Sequence, residues 1–391
     1  MSRKYEATHP WLKFSIDLAR ASPAFWMALG EAQSKRQHIA GVPLKPAVAE
    51  ELQKLYLAKG VFATTAIEGN TLSEDEVRQR LEGNLQLPPS KEYLGREIDN
   101  MLAACNSLER AVIETKDDGS FTTPEICNYN RLILQGLPLP NEVTPGSIRE
   151  HSVEVARYRG APAEDCAYLL DQFCVWLNTG FTPPQGQEIV YGVIKAVLAH
   201  LYLAWIHPFG DGNGRTARLL EIKILLAAGV PRAANHLLSN HYNQTRAEYY
   251  RQLDQASRNG GDVLPFLDYA VRGFVDGLRE QLKMIKSEQW QLAWENYVHE
   301  CFRDKNSKAN IRQRYLLLDL SFKNRPVPPS EIPELSTRLA SAYSGKHRKT
   351  IMRDLNTLVE MGLVTAVNDG YRARKELILA FLPQSISGRA T

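Results

Sequence analysis

Cysteine is scarce in this chain of 391 residues: Cys105, Cys127, Cys166, Cys174 and Cys301 are an odd count without C-x-x-C spacing. That argues against a disulfide framework and a cysteine zinc site, and it fits a reduced, cytoplasmic setting. Export is not expected either, because Met1 to Arg20 carries charges throughout and lacks an apolar core and cleavage pattern. The most hydrophobic stretch, Ile189 to Trp205, contains Lys195 and His200 and falls short of a full bilayer span, so a buried helix is expected and no membrane segment. Charge of one sign is lacking overall, at a net +3, but the balance is uneven. Residues 305–378 hold fourteen Lys/Arg against seven Asp/Glu, a local +7 that leaves −4 for the rest.

What is present is a chain too long for one core, with an ordinary apolar fraction of 44% and a mainly α pattern. Residues 11–60 read as helices broken by a loop at Pro43 and Pro46. Apolar positions then run to Ile67, where Gly69-Asn70 supplies a C-terminal cap and Ser73 to Glu76 a capping box for the next helix. Glu68 is oddly placed in that last turn, where the helix dipole disfavours a carboxylate. It is either solvated there or reaches a distant cation. Residues 91–115, 164–178 and 187–206 read as helices, and the last is apolar almost all round. Between them, Val153, Val155 and Arg157 alternate with polar neighbours, which fits a short β-hairpin or a surface loop. Three regions are expected: 1–90, 91–290 and 305–391, with a boundary near 290–305.

The C-terminal region has a helix from Ile311 to Ser321, a Pro-rich turn, a poorly patterned segment, and a basic amphipathic helix from Lys346 to Met361. A two-stranded wing follows over 365–379. This is a winged helix-turn-helix pattern with Ile351, Leu355, Leu358 and Val359 buried and Lys346, His347, Arg348, Lys349 and Arg353 exposed. DNA contact and a merely solvated basic face both account for it.

The chemistry concentrates in His207-Pro208-Phe209-Gly210-Asp211-Gly212-Asn213-Gly214-Arg215-Thr216-Ala217-Arg218, between two apolar helical runs. Its glycines let successive N–H groups face one point, and the helix starting near Asn213 aims its positive end there, which makes a phosphate nest. Arg215 and Arg218, three apart, can both face the nest and suggest a polyphosphate. Asp211 among anion-attracting groups makes sense as a ligand for a divalent ion bridging phosphates. His207 at a helix tip is placed to take a proton from a hydroxyl. Pro208 biases it away from helical geometry. A P-loop would require a lysine that Gly214-Arg215-Thr216 does not supply, and a dinucleotide fold would require a preceding strand.

The twelve residues from His207 to Arg218 match in full the signature H-x-F-x-[DE]-G-N-G-R-x-x-R, and the chain thereby resembles the Fic family. Thr64-Thr65-Ala66-Ile67-Glu68-Gly69 is similar to the inhibitory motif [ST]-x-x-x-E-[GN] of members whose inhibitory helix precedes the core. Pro145-Gly146-Ser147 through Arg159 lies where the family places its flap, and a C-terminal winged helix is a common companion. The resemblance implies a Fic-type helical core that transfers AMP from ATP to a Ser, Thr or Tyr hydroxyl of a protein, which could be the chain itself. His207 would be the general base and Asp211 the Mg²⁺ ligand. Gly212, Asn213 and Gly214 would cradle the α/β-phosphates, and Arg215 and Arg218 would hold the outer ones. Tyr242, Tyr249 and Tyr250 are candidate adenine contacts. The flap, through Ser147, Ile148, Val153 and Val155, would register the target by strand addition. Kinase-type members carry Lys where Gly214 stands, so this sequence sides with AMP transfer.

The same resemblance pairs Glu68, with Thr64 in its motif, against Arg218 and implies autoinhibition. Other readings stay open: a DNA-binding regulator whose Fic core senses nucleotide, or removal of AMP with Glu68 orienting water. A homodimer follows only from family tendency.

Overall fold

The computed structural model describes residues 3–115, 119–155 and 158–378, and the chain divides into two compact units, 1–283 and 284–391. Arg157 and the chain beyond Ile378, which the sequence reading included in the hairpin and the C-terminal region, lie outside the described residues. The division falls inside one helix and N-terminal to the expected 290–305; residues 1–90 share a unit with the core.

The first unit opens with α1 (Lys4–Thr8), α2 (Pro23–Gly41), α3 (Pro46–Ile67) and α4 (Glu74–Leu81). Residues 11–22 are irregular, contrary to the helix expected there: Phe14 has φ +48°, the Asp17 carboxylate accepts from the Ala19 N–H, and Pro23 starts α2 afresh. The capping box is present, with Ser73 Oγ accepting from the Glu76 N–H and the Glu76 carboxylate accepting from the Ser73 N–H. Next come α5 (Glu92–Thr115), α6 (Thr123–Ile133), the two-residue strands β1 (Glu154–Val155) and β2 (Tyr158–Arg159), and α7 (Ala163–Thr179). Then follow α8 (Glu188–Ile206), α9 (Asn213–Ala227), α10 (Leu237–Gln244), α11 (Arg246–Arg258) and α12 (Leu264–Cys301).

Helices α8 and α9 form the central pair, with α2 and α7 packed on α8 and α5 and α6 on α9. By length and composition α8 could cross a membrane, with a mean hydropathy of 1.8, but 83% of that stretch is buried in the protein core. Its apolar circumference is what a helix surrounded by other helices requires. A methyl group on Gly192 would overlap the Ala228 side chain, so this glycine lets α8 lie close to the end of α9. Helix α3 packs against α10, α5 and α9, which brings its C-terminal end to the start of α9.

The second unit contains the end of α12, then α13 (Lys308–Ser321), α14 (Thr337–Tyr343), α15 (Arg348–Glu360) and the antiparallel strands β3 (Val364–Val367) and β4 (Gly370–Ala373). Its core gathers Trp294, Val298, Phe302, Leu316, Leu355 and Leu358. The boundary expected near 290–305 begins within helix instead, because apolar residues four apart, Trp294, Val298 and Phe302, carry α12 to Cys301. Helix α14 lies in the segment that had no clear pattern, because only Leu339 and Tyr343 are buried in its seven residues. Val359, expected inside, is 36% exposed; the interior position is taken by Asp354, whose carboxylate accepts from Arg312 at 2.5 and 3.0 Å and from Gln313 and Tyr343.

Candidate active site

Helix α8 ends at His207, whose backbone sits in the left-handed region at φ 51°, ψ 58°. Pro208 biases it away from right-handed helical geometry, and extended backbone would satisfy that bias. The left-handed turn ends the helix equally well and directs the chain back toward α9, though it costs a non-glycine residue free energy. The His207 N–H still donates to the Leu203 carbonyl at 2.8 Å. Its Nδ1 lies 3.3 Å from the Ala204 carbonyl, so Nδ1 carries the hydrogen and Nε2 keeps its lone pair. Burial pushes its pKa down to about 4, the Arg149 charge assisting, so the ring is neutral at neutral pH.

The loop after it is stapled internally. Asn213 Oδ1 accepts from the Phe209 N–H at 2.9 Å, and Asn213 Nδ2 donates to the Phe209 carbonyl at 2.8 Å. Gly212, at φ +76°, is the residue before α9; a side chain there would be strained and would press on Asn130 Nδ2 at 2.9 Å. Asn130, fully buried on α6, donates to the Asp211 carbonyl and accepts from the Gly146 N–H, both at 2.9 Å, so it joins this loop to the chain leading into the hairpin.

A cleft of about 990 Å³ opens over the loop, lined by His207, Gly210 to Gly214, Glu68, Val153, Glu154, Tyr249 and Tyr250, among others. Arg215 and Arg218 do not line it. Arg215 is held at 2.5 Å by Glu97 and at 3.0 Å by Asp211, and Glu97 in turn accepts from Asn70 Nδ2 at 2.9 Å. Arg218 is fully buried and donates to Glu68 at 2.5 Å and to the Thr64 carbonyl at 3.0 Å. Its Nε and Nη1 find no partner among the described residues, which leaves two buried donors that an anion would satisfy. Glu68 also covers the nest: a methyl group on Gly214 would overlap its Oε1. Burial raises the Glu68 pKa, but the charge and hydrogen bond of Arg218 outweigh this and leave it below the ordinary carboxylate value. The partner that Glu68 requires at its helix end is therefore 150 residues away in sequence.

Asp211 uses Oδ1 for the Gly212 N–H and Arg215 and lines the cleft; Oδ2 accepts no hydrogen bond among the described residues. No cluster of three or more His, Cys, Asp or Glu that could bind metal occurs among the described residues. A lone carboxylate beside a phosphate nest fits Mg²⁺, which is commonly held by one or two carboxylates together with phosphate oxygens and water.

Of the three tyrosines, Tyr249 and Tyr250 reach the cleft and Tyr242 does not. Tyr242 is fully buried and donates its hydroxyl to Glu221 at 2.9 Å, because its position on α10 turns it toward the core; the expected adenine contact at Tyr242 is thus corrected. Tyr249 shares a 2.8 Å hydrogen bond with His200, and the Tyr250 hydroxyl donates to the Ile67 carbonyl at 3.2 Å, beside Arg246, which donates to the same oxygen at 2.6 Å.

The hairpin is real but shorter than 147–159. Ser147 lies in a turn on Thr144, Ile148 bridges Phe209, and only Glu154–Val155 pair with Tyr158–Arg159. The Gly160 N–H donates to the Val153 carbonyl, and antiparallel alternation then turns the backbone groups of Glu154 and Arg159 outward on opposite edges. The Arg159 carbonyl is taken by His9 Nε2 at 2.9 Å, whereas the Glu154 edge lines the cleft. Sequence reasoning missed Asn130, Glu97, His9 and Arg149. Each acts through a partner far away in the chain, so nothing in local spacing points to it.

A family model described as the Fic/DOC family matches residues 120–225. The chain is 33% identical over 212 residues to Protein adenylyltransferase fic-1 of Caenorhabditis elegans, covering 54% of this chain and 38% of that one. It is 30% identical over 244 residues to Protein adenylyltransferase Fic of Nematostella vectensis, covering 62% and 53%. The chain thus spans about half or less of the length of these curated relatives. Among solved structures, a Fic family protein from Desulfovibrio desulfuricans G20 superposes with a TM-score of 0.58 at 19% identity over 92% of this chain and 98% of that one, a likeness of fold. Fic-1 (residues 134–508) from C. elegans gives 0.53 at 27% identity over 68% and 73%. The match to the Fic/DOC family model thus spans the loop, α8, all but the last two residues of α9 and the hairpin before them.

Proposed function

We propose that this chain transfers AMP from ATP to a Ser, Thr or Tyr hydroxyl of a protein and that Glu68 holds it inactive. The observation that carries this reading is the Glu68 carboxylate lying over the Gly214 end of α9 and on Arg218, where the phosphates of a bound nucleotide would go. The curated relatives named protein adenylyltransferase support it.

On this reading the target lies as an added strand along the Glu154 edge and presents its hydroxyl to His207 Nε2. Nε2 takes the proton as the hydroxyl oxygen bonds to the α-phosphorus. The bond from that phosphorus to the bridging oxygen breaks, and pyrophosphate leaves with the electron pair. The start of α9 supplies the N–H groups of Asn213 and Gly214 and the positive end of a helix to the phosphates, with the Gly212 N–H held by Asp211, while Arg218 and Arg215 hold the outer ones. Asp211 would hold Mg²⁺, which would neutralise phosphate charge. Tyr249 and Tyr250 supply aromatic surface for the base. The test is mass spectrometry of target peptides after incubation of the Glu68→Gly protein with ATP and Mg²⁺: an AMP adduct on a hydroxyl is expected, and a phosphate adduct, or none, refutes the reading.

A second reading concerns the other unit alone. Lys346, Arg348, Lys349 and Arg353 are exposed at the start of α15 and carry no ion pair among the described residues, whereas Arg312, Arg325, Arg338 and Arg374 of the same unit each hold a carboxylate. Unneutralised cations clustered around one helix start suit duplex phosphates. A gel shift of the full chain is expected to weaken in the Lys349→Ala, Arg353→Ala double variant, with the log–log salt slope reduced by about 2. Absence of any shift at low salt counts against DNA.

A further inference from the structure

We infer that Arg149 is a positioning residue that locks both ends of the flap to the backbone of His207, so that the acceptor strand and the base share one frame. This rests on the AMP-transfer reading above. Arg149 is 4% exposed and forms no ion pair among the described residues, an unusual state for a buried guanidinium. Its donors go to three carbonyls on three separate segments: Nη1 to His151, where the chain enters the hairpin, at 2.6 Å; Nη2 to Ala161, where it leaves, at 2.5 Å; and Nε to His207 at 2.7 Å. Its own N–H donates to the Pro208 carbonyl at 3.0 Å, and Ile148 beside it bridges Phe209.

A planar fork with five fixed donors can join three carbonyls in this way, and a lysine ammonium cannot reproduce its geometry. The bond to the His207 carbonyl falls on the residue with left-handed backbone, where an external restraint is needed to hold a strained conformation. The fit extends to Gly160: a Cβ there would lie 2.9 Å from Arg149 Nη2 and 3.0 Å from His207 Cβ, so the flap exit packs directly on both. Because the acceptors are neutral, the guanidinium charge is not cancelled, and it assists burial in keeping the imidazole unprotonated.

The test uses Arg149→Met, Arg149→Lys and Gly160→Ala in the full chain carrying Glu68→Gly. A displaced base and acceptor lose rate, and a shift near 1 Å can cost about 100-fold. For Arg149→Met, kcat for transfer to protein is expected to fall on the order of 30-fold. ATP affinity should change less than about threefold, since Arg149 is not part of the phosphate nest. Amide exchange should quicken at Val153, Glu154, Tyr158 and Gly160 while α8 and α9 keep their protection. Arg149→Lys should recover only part of the rate, and Gly160→Ala should reproduce the loss with the guanidinium intact. Transfer that is unchanged, or transfer, ATP affinity and thermal stability falling together, overturns the proposal. If the Glu68→Gly parent transfers no AMP, the AMP-transfer reading fails on its own, and unchanged flap exchange in Arg149→Met then overturns the clamp independently.

Discussion

Replacing Glu68 by glycine is expected to raise AMP incorporation from α-labelled ATP about 100-fold over the wild-type chain. Hydrogen bonds to charged groups contribute about 1.5–3 kcal/mol each, so a closed state held by one such bond to Arg218 is favoured by roughly 10- to 150-fold over an open one. Removing the carboxylate also clears the Gly214 end of α9, so phosphates gain the nest and the arginine together. A second consequence separates gating from simple damage. Without Glu68 the buried Arg218 is left as an uncompensated charge, which is destabilising until an anion replaces it. ATP should therefore raise the Tm of Glu68→Gly more than that of the wild type. Equal shifts, with no gain in transfer, would remove Glu68 from any gating role. Acid is not expected to mimic the substitution near neutrality, because Arg218 keeps the Glu68 carboxyl charged to below the ordinary carboxylate range.

His207→Ala, in the same activated background, is expected to lower transfer about 1,000-fold, within the range for loss of a positioned general base. The pH dependence adds a sharper test. A base works only unprotonated, and the buried imidazole titrates at about 4 against an ordinary value of 6.5. Between pH 6 and 8 this group should leave kcat/KM flat, with the acid limb descending toward about 4; a limb centred near 6.5 would contradict the buried neutral ring. A histidine whose folded pKa is depressed binds more protons when unfolded, so its contribution to stability is lost as pH falls from 6.5 toward 4.

The elements that were legible in the sequence are those specified by neighbouring residues. The Gly-rich start of α9, the end of α8 at Pro208 and the Ser73/Glu76 capping box each depend on groups within one or two turns. Glu68 was legible in a different way, as a carboxylate at the wrong end of a helix, although its spacing said nothing of which cation would answer it. Tyr242 was misplaced because α10 and α11 are short and meet at Thr245, so the spacing of the three tyrosines across that joint says little about which way each points. Arg149, Asn130 and His9 were invisible for a related reason: they bond backbone carbonyls or amides, which every residue possesses and no sequence pattern marks. The arginines show both sides of the problem. Their position on the first turns of α9 was plain, but the carboxylates that occupy them, Glu97 and Glu68, come from α5 and the end of α3.

The central claim is that one site carries both the chemistry and its restraint, with Glu68 occupying the place of the nucleotide phosphates. It is tested most directly by incubating wild type, Glu68→Gly and Glu68→Gly/His207→Ala in parallel with ATP labelled at either the α or the γ position. The account predicts faint labelling of the wild type, strong labelling of Glu68→Gly from the α position alone, and its disappearance in the double variant. Label arriving from the γ position, or label that persists without His207, would contradict it.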